Sequence, residues 1–252
     1  MNLIITTLSD KKQQYINYFY EYIVSLRDTG YKDDILVLLY GTFNDELFLF
    51  LKKNKVLFNI KKESEIINNQ RIIDIYNMMN ILNYDRFLIT DVDIWFQDSI
   101  YSLFNKMNDK FIYTSDIPIN QQIIGLEYQN IFKDKQDEIN SIDKYNDIIH
   151  NNKTIINCGV FGARKDVLIN KLNQYINFSQ KTYNIYGLDT IIFNSIYNQN
   201  EDIILKYKYN YLSKQKPKLI DGMYYTHEDE KIVIIHNAGS VAKKNIYSYK
   251  KV

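Results

Sequence analysis

Asp91 and Asp93 are the pair of side chains in this sequence best placed to do chemistry together. One residue, Val92, separates them, and they follow the apolar run Phe87-Leu88-Ile89-Thr90, which is bounded by charge on both sides. A short run of that kind reads as a buried strand of a parallel sheet. In open α/β sheets, ligands sit beyond the carboxyl ends of the strands. Two carboxylates there suit a hard divalent cation, Mn²⁺ or Mg²⁺, and a cation so held commonly grips a phosphate. The D-x-D triplet alone is a weak signal, since roughly one or two would arise by chance in a chain this rich in Asp. A solvated strand-to-helix turn, with Asp98 or Ser99 as N-cap, accounts for the same residues. Its placement says more: helix pattern, apolar strand, D-x-D, then a second short helix pattern at Ile100, Leu103 and Phe104.

Three further groups of polar residues stand at the ends of apolar stretches: Thr6-Thr7, Asn157-Cys158-Gly159 and His236-Asn237-Ala238-Gly239. Strand ends on one side of a parallel sheet share a face, so residues far apart in sequence can converge there. Two carboxylates and one imidazole form a reasonable ligand set for Mn²⁺. A histidine following Val233-Ile234-Ile235 serves equally as a structural residue, and both roles stay open for His236. Lys243 and Lys244 lie just beyond, and lysine beside a metal is an ordinary partner for phosphate charge.

The elements that must position these groups alternate. Leu3–Thr7 reads as a first buried strand, and residues 11–27 as a helix with Tyr15, Tyr18, Phe19, Tyr22, Ile23 and Leu26 on one stripe, ended by Gly30. Ile35–Leu39 is a second strand, 44–53 a helix, 56–60 a short strand and 69–83 a helix before the D-x-D strand. That order predicts βαβ units and an α/β fold with a mostly parallel sheet. Phe111–Thr114 reads as another strand, and 117–150 as a polar excursion, helical in parts. Strand character resumes at Ile155–Gly162, helices are expected at 165–177 and 188–198, and strands at 202–207 and 231–235.

At 252 residues the chain fits one large domain or two small ones, and its net charge of +1, evenly mixed, argues against a nucleic-acid partner. The single cysteine, Cys158, excludes disulfide scaffolds and cysteine metal sites. The first ten residues have neither the basic start nor the long apolar core of a signal peptide, and no apolar run approaches the ~20 residues of a membrane span. The expectation is a soluble, cytoplasmic protein with no transmembrane segment.

Taken together, these motifs resemble the glycosyltransferases of the GT-A fold, nearest to the family-8 type that includes glycogenin and bacterial lipopolysaccharide galactosyltransferases. Asp85–Ile94 looks like their segment DKVLYLDxDI, and Asp98-Ser99-Ile100 is similar to DSL. Ile156–Phe161 resembles FNAGVL, and Leu188–Asn194 is similar to QDQDILN. His236-Asn237-Ala238-Gly239 with Lys243 looks like HxxGxxK. The order and rough spacing agree over most of the chain.

The resemblance implies a single Rossmann-like GT-A domain over 1–252. Residues 1–110 would be its nucleotide-binding half and 111–252 its acceptor-side half, with 117–150 a variable insertion. It implies metal-dependent transfer of a sugar from a nucleotide-diphosphate sugar to a glycan or other hydroxyl acceptor, in glycan or polysaccharide synthesis. By carry-over, Asp91, Asp93 and His236 would hold the metal, and Asp91 would also face the donor. Thr6 and Thr7 would lie beside the nucleotide base, and Arg71 would reach the donor phosphate or ribose. Asp116, Asn157 and Gly159 would face the donor sugar, Gly239 and Lys243 the diphosphate, and Asp189 the reacting centre. The basic, Tyr-containing tail from Lys243 offers peripheral membrane contact.

The chain departs from the family where Thr190 replaces a Gln and where Lys243 comes one residue late. Inversion and retention of configuration both stay open. In an inverting reaction Asp189 would take the acceptor's proton; in a retaining one it would hold the donor sugar; an N-cap or solvated residue is the third role. Two other functions share part of the pattern. A haloacid-dehalogenase-type phosphohydrolase also opens on an apolar strand and D-x-D, but has Thr or Val where Trp95 stands. A catalytically silent nucleotide- or glycan-binding domain has no need for both aspartates.

Overall fold

The computed structural model describes residues 1–62, 66–115, 131–152, 155–212 and 216–237. Its centre is a seven-stranded sheet in the order β3-β2-β1-β4-β7-β6-β8. The strands are β1 (Asn2–Ser9), β2 (Asp34–Tyr40), β3 (Leu57–Lys61), β4 (Arg86–Thr90), β6 (Phe111–Ser115), β7 (Ile156–Arg164) and β8 (Asp202–Leu205). All run the same way except β7, which is antiparallel to both neighbours, β4 and β6. A second, three-stranded sheet takes β5 (Ile94–Phe96), β12 (Ile234–His236) and β9 (Tyr211–Leu212). A hairpin of β10 (Lys218–Ile220) and β11 (Met223–Tyr225) precedes β12.

Side-chain alternation along the strands divides the core in two. Leu3, Ile5, Leu36, Leu38, Phe87 and Ile89 face one way, under α3 (Ile67–Met78), α6 (Lys165–Ser179) and α7 (Leu188–Ser195). Ile4, Leu8, Val37, Leu39 and Leu88 face the other, under α1 (Gln13–Asp28), α2 (Asp45–Lys53), α4 (Tyr101–Lys106) and the small sheet. The stripe read on α1 is the buried one: Tyr18, Phe19, Tyr22, Ile23 and Leu26 pack on the sheet. Gly30, at φ +82°, turns the chain away where that helix stops, a conformation that costs glycine no Cβ clash. No described helix is long and apolar enough to cross a membrane.

The structure departs from the sequence expectations at several points. The strand expected at 155–162 is present but runs against its neighbours, so Asn157-Cys158-Gly159 stand at its start rather than beyond its end. β5 is a three-residue strand, too short to show a period, and occupies what reads in sequence as the turn after D-x-D. The polar excursion contains an 18-residue helix, α5 (Lys135–Asn152); residues 117–130 lie outside the described part. The helix expected to 83 ends at Met78, and the last strand is confined to Ile234–His236. Neither Asp98 nor Ser99 caps α4. Its N-cap position is Ile100, and Asp98 pairs instead with Lys231 at 2.9 Å.

Candidate metal and donor site

β4 runs parallel to β1, in register from Asn2↔Arg86 to Thr6↔Thr90, so Thr6 and Thr7 end beside the start of the D-x-D turn. Because β7 enters this edge of the sheet from the opposite direction, its first residues reach the same place. The backbone N–H of Asp91 donates to the carbonyl of Gly159 at 2.9 Å. His236 arrives from the second sheet: β12 pairs with β5 with His236 opposite Ile94, and the N–H of Asn237 donates to the carbonyl of Asp93 at 2.8 Å. Backbone hydrogen bonds thus clamp both sides of Asp91-Val92-Asp93.

The result is a convergence of Asp91, Asp93 and His236. Nε2 of His236 lies 3.5 Å from a carboxylate oxygen of Asp91 and 3.3 Å from one of Asp93. One ligand atom from each of the three lies within 4.8 Å of the others. Two carboxylate oxygens and one imidazole nitrogen spaced this way fit a single Mn²⁺- or Mg²⁺-sized ion with positions left for other ligands. His236 is buried, whereas the side chains of Asp91 and Asp93 keep 28% and 12% of their surface, so the cluster opens toward solvent on the carboxylate side.

Charge compensation within the cluster is already strong. Burial works against the charged form of Asp91, yet Arg71 and His236 outweigh it and hold this carboxyl well below the usual carboxylate range. Burial likewise works against a charged His236, but hydrogen bonds and charge from Asp91 and Asp93 push it up to about 10. The imidazole is therefore cationic at neutral pH when no metal is bound.

Arg71, on α3, is 3% exposed. Its guanidinium donates to Asp91, to Asp189 at 3.1 Å and to the carbonyl of Cys158 at 3.4 Å. Its Nε–H has no hydrogen-bond partner among the described residues. Asp189, on the first turn of α7, is 4% exposed and does not cap the helix. The N-cap is Gly187, at φ +83°, and Asp189 also accepts from the Thr190 N–H at 2.9 Å. Burial raises its carboxyl above the ordinary value, with Arg71 opposing. One guanidinium thus joins the Asp91–Asp93–His236 cluster to Asp189.

The remaining sequence candidates separate. Thr6 is fully buried on the α1 side of the sheet, near the Tyr22–Thr90 hydroxyl pair, and Thr7 is half-buried on the opposite face. Asn157 points its side-chain oxygen at the Gly159 N–H and at Asn210. Gly159 is where the imidazole packs: a Cβ there would lie 2.3 Å from Cε1 of His236, so only glycine admits the ring. Burial raises the Cys158 thiol well above its ordinary value, which leaves it an inert core group. Asp116, Gly239 and Lys243 lie outside the described residues. Trp95 is half-buried and packs edge-on to Tyr224, with ring centres 5.8 Å apart. Asn210, a neighbour of His236 at 2.8 Å, has no motif to announce it: an isolated Asn between two tyrosines reads as a turn residue.

No protein-family model and no curated protein sequence matches the chain. Solved structures do. A galactosyltransferase, LgtC, crystallised with donor and acceptor sugar analogues, superposes with a TM-score of 0.63 at 14% identity, over 99% of this chain and 95% of that one. An active-site mutant of LgtC gives 0.60 at 13% identity over the same shares. The bifunctional glycosyltransferase WbbM gives 0.60 at 11% identity, over 94% of this chain and 45% of that one. The chain has the fold these enzymes share, the GT-A fold, as the motif resemblance implies.

Proposed function

We propose that this GT-A chain is a metal-dependent glycosyltransferase that moves a sugar, a hexose by analogy with the galactosyltransferase whose fold it shares, from a nucleotide-diphosphate sugar to a saccharide or other hydroxyl acceptor in glycan or polysaccharide synthesis. The observation that carries the proposal is the meeting of Asp91, Asp93 and Nε2 of His236 at the open edge of the sheet, with solvent on the carboxylate side. The same reading takes 1–110 as the nucleotide-binding half and 111–252 as the acceptor side, with 117–150 tuning the acceptor. It places the protein in the cytoplasm, with peripheral membrane contact through the basic tail.

A divalent ion, Mn²⁺ or Mg²⁺, held by Asp91, Asp93 and His236 would supply positive charge opposite the departing diphosphate. The protein's own groups do the rest. Arg71 holds Asp91 and Asp189 in fixed relation and, by the resemblance, would reach the donor phosphate or ribose. In this reading Thr7 lies beside the nucleotide base, and Thr6, at the same strand end, is buried on the opposite face of the sheet. Asn157 and Gly159 shape the wall against which the donor sugar would rest, and Asp116, Gly239 and Lys243 complete the donor site by resemblance. For Asp189, the geometry supports holding a donor hydroxyl over taking the acceptor's proton. One of its oxygens accepts from Arg71 and the other from the Thr190 N–H, so a role as base would first require one of these contacts to break.

Calorimetry with a nucleoside diphosphate, in Mn²⁺ and then in excess chelator, tests the reading. Binding is expected only with the metal; equally tight binding in full chelator would remove the bridging role from Asp91 and Asp93.

A further inference from the structure

A neutral histidine carries its proton on one ring nitrogen, and only the other nitrogen can ligate a metal. Here the choice is made by a relay that starts at a backbone amide. The N–H of Gly159 can only donate, so the Asn157 side-chain atom 2.8 Å away is its amide oxygen. That oxygen also lies 2.8 Å from the amide of Asn210, so the facing atom of Asn210 is its NH₂. Asn210 then turns its oxygen to Nδ1 of His236, again at 2.8 Å. An amide oxygen only accepts, so Nδ1 carries the proton.

We propose that Asn210 is a positioning residue that keeps a proton on Nδ1 of His236, so that when the imidazole gives up its other proton it is Nε2 that turns to the cation held with Asp91 and Asp93. The inference rests on reading the cluster as a metal centre. Asn210 is 1% exposed, so no bulk water competes for its amide. Its backbone is held between the 3₁₀ turn at Tyr207–Tyr209 and β9, which pairs in parallel with β12 so that Leu212 lies opposite His236. A flip of the imidazole would set Cδ2 against the Asn210 oxygen and forfeit the bond, and the missing Cβ of Gly159 is what lets the ring lie in the bonded position. Outer hydrogen-bond partners of this kind orient a ligating histidine and raise its basicity. The relay also gives Asn157 work beyond the donor-facing role its motif implies, because its oxygen polarises Asn210.

The test uses ¹⁵N-imidazole spectra of the full chain, metal-free and loaded with ¹¹³Cd²⁺ as a diamagnetic probe. In the unmutated protein, cadmium coupling is expected at Nε2 alone, with the Nδ1–H proton protected from exchange in both states. Asn210→Leu keeps the volume but neither donates nor accepts. It should lose that protection and weaken Mn²⁺ binding by about 10- to 100-fold, the usual range for an outer-shell partner. Asn210→Asp restores an acceptor for Nδ1–H and should bring affinity back to within about tenfold of the unmutated protein. Should the Leu variant fail to fold, the unmutated spectrum and the Asp variant still decide. Cadmium coupled to Nδ1, or unchanged Mn²⁺ affinity in a folded Asn210→Leu protein, overturns the role of Asn210 while leaving the metal centre standing. Failure of the unmutated chain to bind either ion overturns the metal centre and this role with it.

Discussion

Asp91 and Asp93 look interchangeable in sequence, yet their surroundings differ. Asp91 carries both Arg71 and His236, whereas Asp93 meets the imidazole at 3.3 Å and contributes its carbonyl to the Asn237 N–H. Both Asp91→Asn and Asp93→Asn are expected to abolish metal-dependent donor binding. In chelator, however, Asp91→Asn should be the less stable by about 1.5–3 kcal/mol, the scale of a hydrogen bond to a charged group. Urea melts of the two metal-free variants check this, and equal stabilities would mean that the Arg71–Asp91 contact adds nothing. His236 supplies a pH dependence with a definite sign. Its folded value, about 10, lies above the ordinary 6.5, so its contribution to stability is fully present below pH 6.5 and is lost as pH rises toward 10. The metal must displace that proton, so Mn²⁺ affinity should rise with pH through the same window. Calorimetry at pH 6, 7.5 and 9 reads both the affinity and the proton released, and a pH-independent affinity would contradict the protonated imidazole. Asp189→Asn, measured as donor affinity beside the anomeric configuration of the first-formed product, separates its two roles. Weakened donor binding with a retained product supports the holding role, while intact binding with an inverted product supports the base.

At the scale of elements, β7 has the most to do. Running against β4, it delivers Asn157 and Gly159 to the same edge as Asp91, and its Gly162 lets the backbone of Phe87 approach where a Cβ would stand 2.3 Å from that carbonyl. The far end of the sheet is secured differently. Lys171 of α6 meets Asp202 of β8 at 2.9 Å, with both side chains essentially fully buried; Lys171 also reaches the carbonyl of Ile196, and Asp202 accepts from the Asn198 N–H at 2.7 Å. Removing one member leaves the other charge uncompensated in the core, so Lys171→Met should cost about 3–5 kcal/mol. Replacing both by apolar residues of similar volume should recover much of that loss. Denaturant unfolding of the single and double variants measures the difference, and a neutral single variant would show that water reaches the pair.

At the scale of the whole molecule, the site joins units that the chain makes separately: the large sheet through β1, β4 and β7, the α3–α7 layer through Arg71 and Asp189, and the small sheet through His236 and Asn210. A ligand spanning them should therefore stabilise the fold as a unit. Mn²⁺ with a nucleoside diphosphate at a hundred times its dissociation constant would add about 2.7 kcal/mol. For a domain of this size that is a rise of about 5–10 °C in melting temperature. Scanning calorimetry should show that rise with both present and a smaller one with Mn²⁺ alone; no shift with either would deny that the three units meet at a binding site.

The sequence by itself determined which segments are strands and helices on the first ninety residues, because apolar runs and a 3.6-residue stripe survive without any knowledge of neighbours. It also marked the D-x-D carboxylates and His236, since each follows an apolar strand directly. What only the tertiary structure decided was direction and partnership. Nothing in Ile155–Gly162 encodes whether that strand runs with or against β4, because alternation is the same read either way, and β5 is too short to carry a period at all. The pairing of Arg71 with both Asp91 and Asp189 joins residues 20 and 118 positions apart, and Asn210 enters the site 26 positions from His236 through a backbone register that no local pattern records. A hydrogen bond between distant side chains depends on where two backbones cross, and that is set by the packing of the sheet and its layers rather than by the residues' immediate neighbours.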